Sequence, residues 1–279
     1  MQTSGSLLIL VTNDDGVHAA GIQSLRRALA PLGRAMCVAP DREQSASSHA
    51  LTLHHPLRMT RIEDDVVSVD GTPTDCVLLA VHGVLERRPD LLVSGINHGP
   101  NLGDDVNYSG TVAAAVEGHR LGIPSLAVSL GREPEGDLPF AAKITARLVA
   151  HLLARRAIGA EAADPGSRLA EDGFILNVNI PARPRAAIRG FAVTRLGKRI
   201  YRDIVVAKED PHGRPYYWIG GETPIWDREN GFEETDFAAV EAGRVSITPL
   251  RLDRTDYDGM RRLQTWELPE ELEKLEDVM

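Results

Sequence analysis

Cysteine is almost absent. The 279-residue chain holds two, Cys37 and Cys76, far apart, with no CxxC pair and no Cys/His pairing at zinc-ligand spacing. Neither a disulfide framework nor a structural zinc is expected, and each thiol reads as a small buried hydrophobe. Basic charge is also short: 31 Lys plus Arg face 40 Asp plus Glu, a formal net charge of −9. That balance excludes a binder of duplex nucleic acid, which needs a basic face to neutralise phosphates and release counterions. A phosphate-bearing ligand would have to be held locally, by a metal ion or by a loop of backbone N–H groups. No apolar run reaches membrane-spanning length, and residues 1–6 lack the basic start, apolar middle and cleavage site of a signal peptide, so no membrane partner is expected and a reducing cytoplasm is the simplest location. G-x-G-x-x-G, the Walker A loop, G-x-S-x-G and H-E-x-x-H are all missing, which disfavours dinucleotide cofactors, P-loop chemistry, a hydrolase elbow and a zincin. Aromatic residues make up only 5%. All three tryptophans (Trp218, Trp226, Trp266) and four of the five tyrosines fall in the last third, a bias that suits an interface or simple core packing.

What is present is the balance of a globular protein, 43% hydrophobic and 25% charged, long enough to bury roughly three quarters of its unfolded surface. Leu7 to Thr12 is an apolar run ending in Asn13-Asp14-Asp15-Gly16, after which Ile22, Leu25, Leu29 and Leu32 recur at helical spacing. Ala35 to Ala39 repeats the strand signal and stops at Pro40-Asp41, and Asp90 to Ser94 repeats it before Gly95-Ile96-Asn97. A helix from about Ser109 to Leu121, a strand around Ser125 to Ser129 and a helix carrying Phe140, Ile144, Leu148 and Leu152 complete an alternation that predicts an α/β fold: a Rossmann-like, mostly parallel sheet flanked by helices. Residues 157–172 read as a surface loop. Five strand-like segments follow (174–180, 191–194, 204–207, 216–219 and 244–250), two of them joined by Asp210-Pro211-His212-Gly213, which predicts a protruding C-terminal β-hairpin appendage. The expected division is a core over 7–195, an appendage with a returning strand over 196–260, and an acidic helical tail over 261–279.

In open parallel sheets the ligand crevice lies beyond the carboxyl ends of the strands, where strand order reverses. Four polar loops are placed to converge there: Asn13 to Gly16, Asp41 to Ser48, Gly71 to Asp75 and Gly95 to Asp105. Asn-Asp-Asp-Gly alone is a good turn sequence. At the end of the first strand of such a sheet, its adjacent carboxylates would repel unless a cation sat between them, and Asp14 and Asp15 then read as ligands of a divalent metal. The serines after the second strand read either as solvating a loop or as site residues. The glycines of the third loop allow close backbone approach to a ligand, and its asparagines offer amide oxygens and donors. It leads to Tyr108-Ser109-Gly110-Thr111, the start of a helix whose free N–H groups favour an anion; a cap by Ser109 or Thr111 is the plainer reading and is compatible with it. His18, His49 and His98 could shuttle protons or merely be solvated.

In this order, Val11-Thr12-Asn13-Asp14-Asp15-Gly16, Ala39-Pro40-Asp41-Arg42 with Ser45, Gly71-Thr72-Pro73-Thr74-Asp75-Cys76, Ser94-Gly95-Ile96-Asn97 with Gly99 and Asn101, and Tyr108-Ser109-Gly110-Thr111-Val112 resemble the SurE (survival protein E) family. Tyr216-Tyr217-Trp218-Ile219-Gly220-Gly221 and Ser246-Ile247-Thr248-Pro249-Leu250 resemble its C-terminal part. The resemblance implies a metal-dependent phosphatase acting on nucleoside 5′-monophosphates, with 3′-nucleotides and short polyphosphates as further candidate substrates. It implies that Asp14, Asp15, Ser45 and Asn97 bind one divalent cation per subunit, that Asp14 and Asp15 are catalytic, and that Asn101, Ser109, Gly110 and Thr111 contact the substrate phosphate. It also implies a hairpin exchanged between subunits of a homodimer or homotetramer. The departures are the loop over 157–172 and the extra N-terminal residues. Four oxygen donors form a hard set suited to magnesium, manganese or calcium rather than zinc. Two rivals stand beside this reading: Asp14 as a covalent nucleophile, although aspartyl-phosphate enzymes space their two aspartates by one residue, and a non-catalytic metal-dependent nucleotide-binding module.

Overall fold

An unbroken apolar run such as Leu8 to Val11 is stable as a strand only when both of its faces are covered, and the fold is arranged around that requirement. The computed structural model describes residues 7–132, 136–161, 173–200, 203–221, 225–228 and 231–266. In chain order it contains β1 (Leu8–Thr12), α1 (Ala20–Leu29), β2 (Arg34–Pro40), β3 (Met59–Glu63), β4 (Val66–Val69) and α2 (Pro73–Leu79), which runs into a π-helical turn (Ala80–Val84). Then come β5 (Leu91–His98), a 3-10 turn (Gly103–Asn107), α3 (Gly110–Arg120), β6 (Ser125–Leu130), α4 (Leu138–Glu161), β7 (Ile175–Ile180), β8 (Phe191–Val193) and β9 (Arg199–Ile200). The chain continues through β10 (Asp203–Glu209), β11 (Pro215–Gly221), β12 (Ile225–Trp226), α5 (Asp236–Glu241), β13 (Val245–Leu250) and α6 (Tyr257–Gln264).

The main sheet has the order β3-β4-β2-β1-β5-β6-β7-β13-β8. Its six central strands, β4 to β7 in that order, are parallel. β3 is antiparallel to β4, β13 is antiparallel to β7, and β8 runs with β13. This is the mostly parallel α/β architecture that the alternation of strands and helices predicts. Successive β1 side chains point to opposite faces. Ile9 and Val11 pack with Ile22, Leu25 and Leu29 of α1 and with Ala141 and Val149 of α4. Leu8 and Leu10 pack with Val77 of α2 and Val112 and Ala115 of α3. Truncating the fully buried Leu10 to Ala would cost about 2–5 kcal/mol.

β10 and β11 pair antiparallel across the turn at Asp210–Gly213, closed by Gly213 N–H donating to Asp210 O at 2.9 Å. This ribbon is the anticipated hairpin, and it exposes Val205, Tyr217, Trp218 and Ile219. The tryptophans divide between the two readings of their bias. Trp226 stacks on Phe237 with ring centroids 3.4 Å apart, whereas Trp218 and Trp266 are exposed.

Two expectations need correction. The third strand does not stop at Ser94: β5 continues to His98, its register on β6 shifting between Gly95 and Asn97. Of the loop expected over 157–172, residues 157–161 are instead helical, because α4 continues to Glu161, where the Ala- and Arg-rich stretch has good helix propensity; 162–172 lie outside the described residues. Most of the acidic tail, from 267 onward, lies outside the described residues. No helix among the described residues is long and apolar enough to cross a membrane.

Candidate active site

From β1 the chain builds outward through β2 and β4 on one side and through β5, β6 and β7 on the other, so the strand order reverses between β1 and β5. A cleft of about 740 Å3 opens at their carboxyl ends, and Asp14, Asp15, Ser45, Asn97, Asn101 and Ser109 all line it. Thr111 lies beneath it, fully buried. The loop from Gly71 to Asp75 does not line it.

The turn after β1 is closed by Asn13 Nδ2 donating to Gly16 O at 2.9 Å, with Gly16 in a left-handed conformation (φ 96°) that suits glycine. The turn leaves Asp14 buried at 4% exposure. One Asp14 oxygen accepts the Thr111 hydroxyl and the other accepts Thr111 N–H at 3.1 Å. Gly110 makes this approach possible: a Cβ there would lie 2.9 Å from Asp14 Cβ and 2.8 Å from Ser47 Oγ. Asp15 is half-buried, and its Oδ2 accepts His98 N–H at 3.2 Å. Burial pushes both carboxyls above their usual range; the neighbouring Asp15 adds to the rise at Asp14, and Glu43 adds to that at Asp15. Thr111 pulls Asp14 in the opposite direction, as do His98 N–H and, more weakly, the charge of Arg132 across the cleft for Asp15. Neither aspartate belongs to an ion pair within 4.0 Å among the described residues.

Ser45 is held from both ends of its loop. Gln44 N–H donates to Asp14 O at 2.7 Å and Ser48 N–H to Tyr108 O at 3.2 Å. Further along, His49 Nε2 meets the buried Glu117 carboxylate of α3 at 2.8 Å. Gly71 to Asp75 acts here as well. Thr72 and Asp75 form a capping box on α2, and the Asp75 carboxylate also accepts Thr52 N–H at 3.0 Å and the Thr52 hydroxyl at 2.6 Å. This motif therefore grips the Ser45 loop rather than facing the cleft. Ser45 Oγ itself donates to Glu43 Oε1 at 2.6 Å. Asn97 reaches the cleft because β5 bulges at Gly95 (φ 134°), where a Cβ would come within 2.3 Å of Val128 O. Its Nδ2 donates to Gly99 O at 2.7 Å, and its Oδ1 is left as an acceptor with no partner among the described residues.

At the start of α3, Ser109 Oγ accepts Val112 N–H at 3.1 Å and Thr111 N–H is taken by Asp14. The Ser109 and Gly110 N–H groups have no partner among the described residues, so capping by Ser109 leaves part of the helix terminus open to an anion. Four residues outside the candidate set support the cleft. Asn177 and Asn179 of β7 and Ser129 of β6 bond Asn101. Asp236, fully buried, accepts Gly103 N–H at 2.8 Å and Gly197 N–H at 2.9 Å, and burial raises its carboxyl. Two asparagines spaced i, i+2 in the apolar run Ile175–Ile180 were the available signal for the first group.

Among the described residues no three His, Cys, Asp or Glu side chains group as a metal site, so a cation here would need hydroxyl and amide oxygens besides carboxylates. The cleft offers that mixture. A buried and a half-buried carboxylate outside any 4.0 Å ion pair among the described residues, beside the unpartnered buried oxygens Asn13 Oδ1 and Ser47 Oγ, fit a small hard cation.

Strand order, cleft position and lining define a Rossmann-like α/β protein whose switch-point cleft carries carboxylate, hydroxyl and amide oxygens beside a helix N-terminus. The family model described as survival protein SurE matches residues 9–203, and the chain belongs to that family. It is 52% identical over 260 residues to the 5′-nucleotidase SurE of Pelobacter propionicus, covering 92% of this chain and 98% of that protein. It is 51% identical over 261 residues to the 5′-nucleotidase SurE of Geobacter sulfurreducens, covering 93% and 94%. The crystal structure of SurE from Aquifex aeolicus superposes with a TM-score of 0.75 at 42% identity, covering 93% of this chain and 99% of that one.

Proposed function

We propose that this protein is a metal-dependent 5′-nucleotidase that hydrolyses nucleoside 5′-monophosphates to nucleoside and phosphate. The observation that carries the reading is the pair at the switch point, Asp14 buried and Asp15 half-buried, with no ion pair within 4.0 Å among the described residues and the N-terminus of α3 closed over Asp14. The relatives named 5′-nucleotidase supply the substrate class. Asp14, Asp15, Ser45 and Asn97 would hold one magnesium or manganese ion, the hard cations that such oxygens favour. When bound, that ion supplies charge neutralisation at the phosphoryl oxygens and a more acidic water.

The remaining chemistry belongs to the chain. Asp14, locked by two hydrogen bonds from Thr111, fixes one edge of the site. Asp15, with Oδ2 on His98 N–H, has Oδ1 available to orient the attacking water and hold its proton. The Ser109 and Gly110 N–H groups and Asn101 Nδ2 bind the phosphoryl oxygens, where negative charge gathers as the water–phosphorus bond forms and the bond to the nucleoside oxygen breaks. The exposed aromatic hairpin within 196–260 serves a homodimer or homotetramer, and the two free thiols, Cys37 pushed up to about 12 by burial, suit a cytoplasmic location.

The test is phosphate release from AMP and GMP by protein stripped with EDTA and resupplied with manganese or magnesium, beside Asp15→Asn. Metal-restored turnover that the variant lacks is the expected result. A variant with near-normal turnover would overturn the role of Asp15, and no release with either metal would overturn the enzyme.

A further inference from the structure

The centre of β7 is an expensive place for amides, since an unpaired polar group there is cut off from water. Asn177 and Asn179 nevertheless sit in it at 0% and 1% exposure, on one face because they are two residues apart. The arrangement is not fully satisfied, as Asn177 Oδ1 has no hydrogen-bond partner. What both amides hold is a single residue of the cleft wall. Asn101 O accepts Asn177 Nδ2 at 2.8 Å and Asn179 Nδ2 at 2.9 Å. Asn101 N–H donates to Asn179 Oδ1 at 2.8 Å. On β6, Ser129 Oγ accepts Asn101 Nδ2 at 2.7 Å. The backbone of Asn101 is thus fixed by side chains of β7, and its amide plane by a side chain of β6. An amide nitrogen carries two hydrogens, and with one committed to Ser129 the other has no partner among the described residues.

We propose that Asn177, Asn179 and Ser129 are positioning residues that fix the Asn101 amide so that its second N–H meets a phosphoryl oxygen of the substrate. This rests on reading the cleft as a phosphate site. An asparagine on a glycine-rich loop would otherwise lose side-chain freedom on binding; three buried groups remove that cost before the ligand arrives. A purely structural role would have a different signature. Replacing Asn177 by valine removes an amide whose oxygen is already unpartnered and supplies a residue suited to a buried strand, so stability should hold or rise while ligand binding weakens.

The experiment measures the dissociation constant of inorganic phosphate by calorimetry on the manganese-supplied protein, with thermal unfolding and AMP turnover in parallel. The variants are Asn177→Val and Ser129→Ala, each with and without Asn101→Ala. We expect phosphate to bind about fivefold more weakly in each single variant, the ratio one ordinary hydrogen bond is worth, with Tm maintained. In the Asn101→Ala background the further loss should vanish. Ser129→Ala removes a single hydroxyl and keeps the test open if Asn177→Val does not fold. A lowered Tm with unchanged phosphate affinity would overturn the proposal, as would an undiminished loss in the Asn101→Ala background. Active wild-type protein with unaffected variants defeats only the positioning role, whereas wild-type protein that neither binds phosphate nor turns over AMP defeats the nucleotidase reading itself.

Discussion

The change Gly110→Ala isolates the contact on which the site depends. Gly110 opens α3, and its φ is not in the left-handed region, so alanine can adopt its backbone without strain. The difficulty is space. The new methyl would lie 2.8 Å from Ser47 Oγ, 2.9 Å from Asp14 Cβ and 3.1 Å from Asp14 Oδ2, against ordinary contacts of about 3.5–4.0 Å. The first turn of α3 must therefore retreat by roughly 0.5–1 Å from β1, which pulls Thr111 off Asp14 and moves the Ser109 and Gly110 N–H groups from the phosphate seat. Overpacking of this kind costs about 1–3 kcal/mol, offset in part by the roughly 0.5–1 kcal/mol that alanine gains over glycine in a helix. Melting temperature should accordingly fall by only a few degrees. A misplacement of about 1 Å in a catalytic constellation can cost about a hundredfold in rate, so kcat/KM for AMP should drop by about that factor in a protein that remains folded. The assay is steady-state phosphate release beside thermal unfolding of the same samples. Activity within threefold of wild type would refute the argument that close approach of α3 to Asp14 organises the site.

Removing the Asp75 carboxylate in Asp75→Ala leaves Thr52 N–H, the Thr52 hydroxyl and Thr72 N–H without their acceptor; stability should fall by about 1–3 kcal/mol in urea, and limited proteolysis within 41–56 should quicken, while an unchanged cleavage pattern would count against a clamp on the Ser45 loop. Burial raises the Asp236 carboxyl above 3.8, so the native state holds that proton more firmly than the unfolded chain. The stability this contributes is complete below pH 3.8 and is lost as pH rises through the raised value. Asp236→Asn does not titrate, so the stability advantage of wild type over it should shrink from acid toward neutral pH in stepped urea unfolding, and a pH-independent difference would contradict the assignment. Ile219 is 87% exposed beside the exposed Tyr217 and Trp218; Ile219→Lys should reduce the mass measured by light scattering if the hairpin is the subunit interface, and an unaltered mass would exclude that use.

The parts of the site legible in the sequence are those whose geometry is local. Asn13 to Gly16 closes its own turn through the Asn13 to Gly16 hydrogen bond, and Ser109 caps its own helix, so a few adjacent residues carry the whole signal. Gly71 to Asp75 was equally visible as a motif and less so as a device: its capping box is local, but its grip on Thr52 spans 23 residues. The extension of β5 to His98 was hidden because the bulge at Gly95 depends on how closely Val128 of another strand approaches. Asn177 and Asn179 were hidden for the same reason, since Asn101 lies 76 and 78 residues away and nothing near β7 in sequence says what two buried amides would bond. The division follows from physical chemistry. A motif can specify which atoms meet a ligand, because backbone conformation is set within a few residues. It cannot specify what holds those atoms still, because that is done by whichever strand the topology places alongside. A substitution that spares every motif residue can therefore still disable the site, and Ser129, Asn177, Asn179 and Asp236 are where that vulnerability is concentrated.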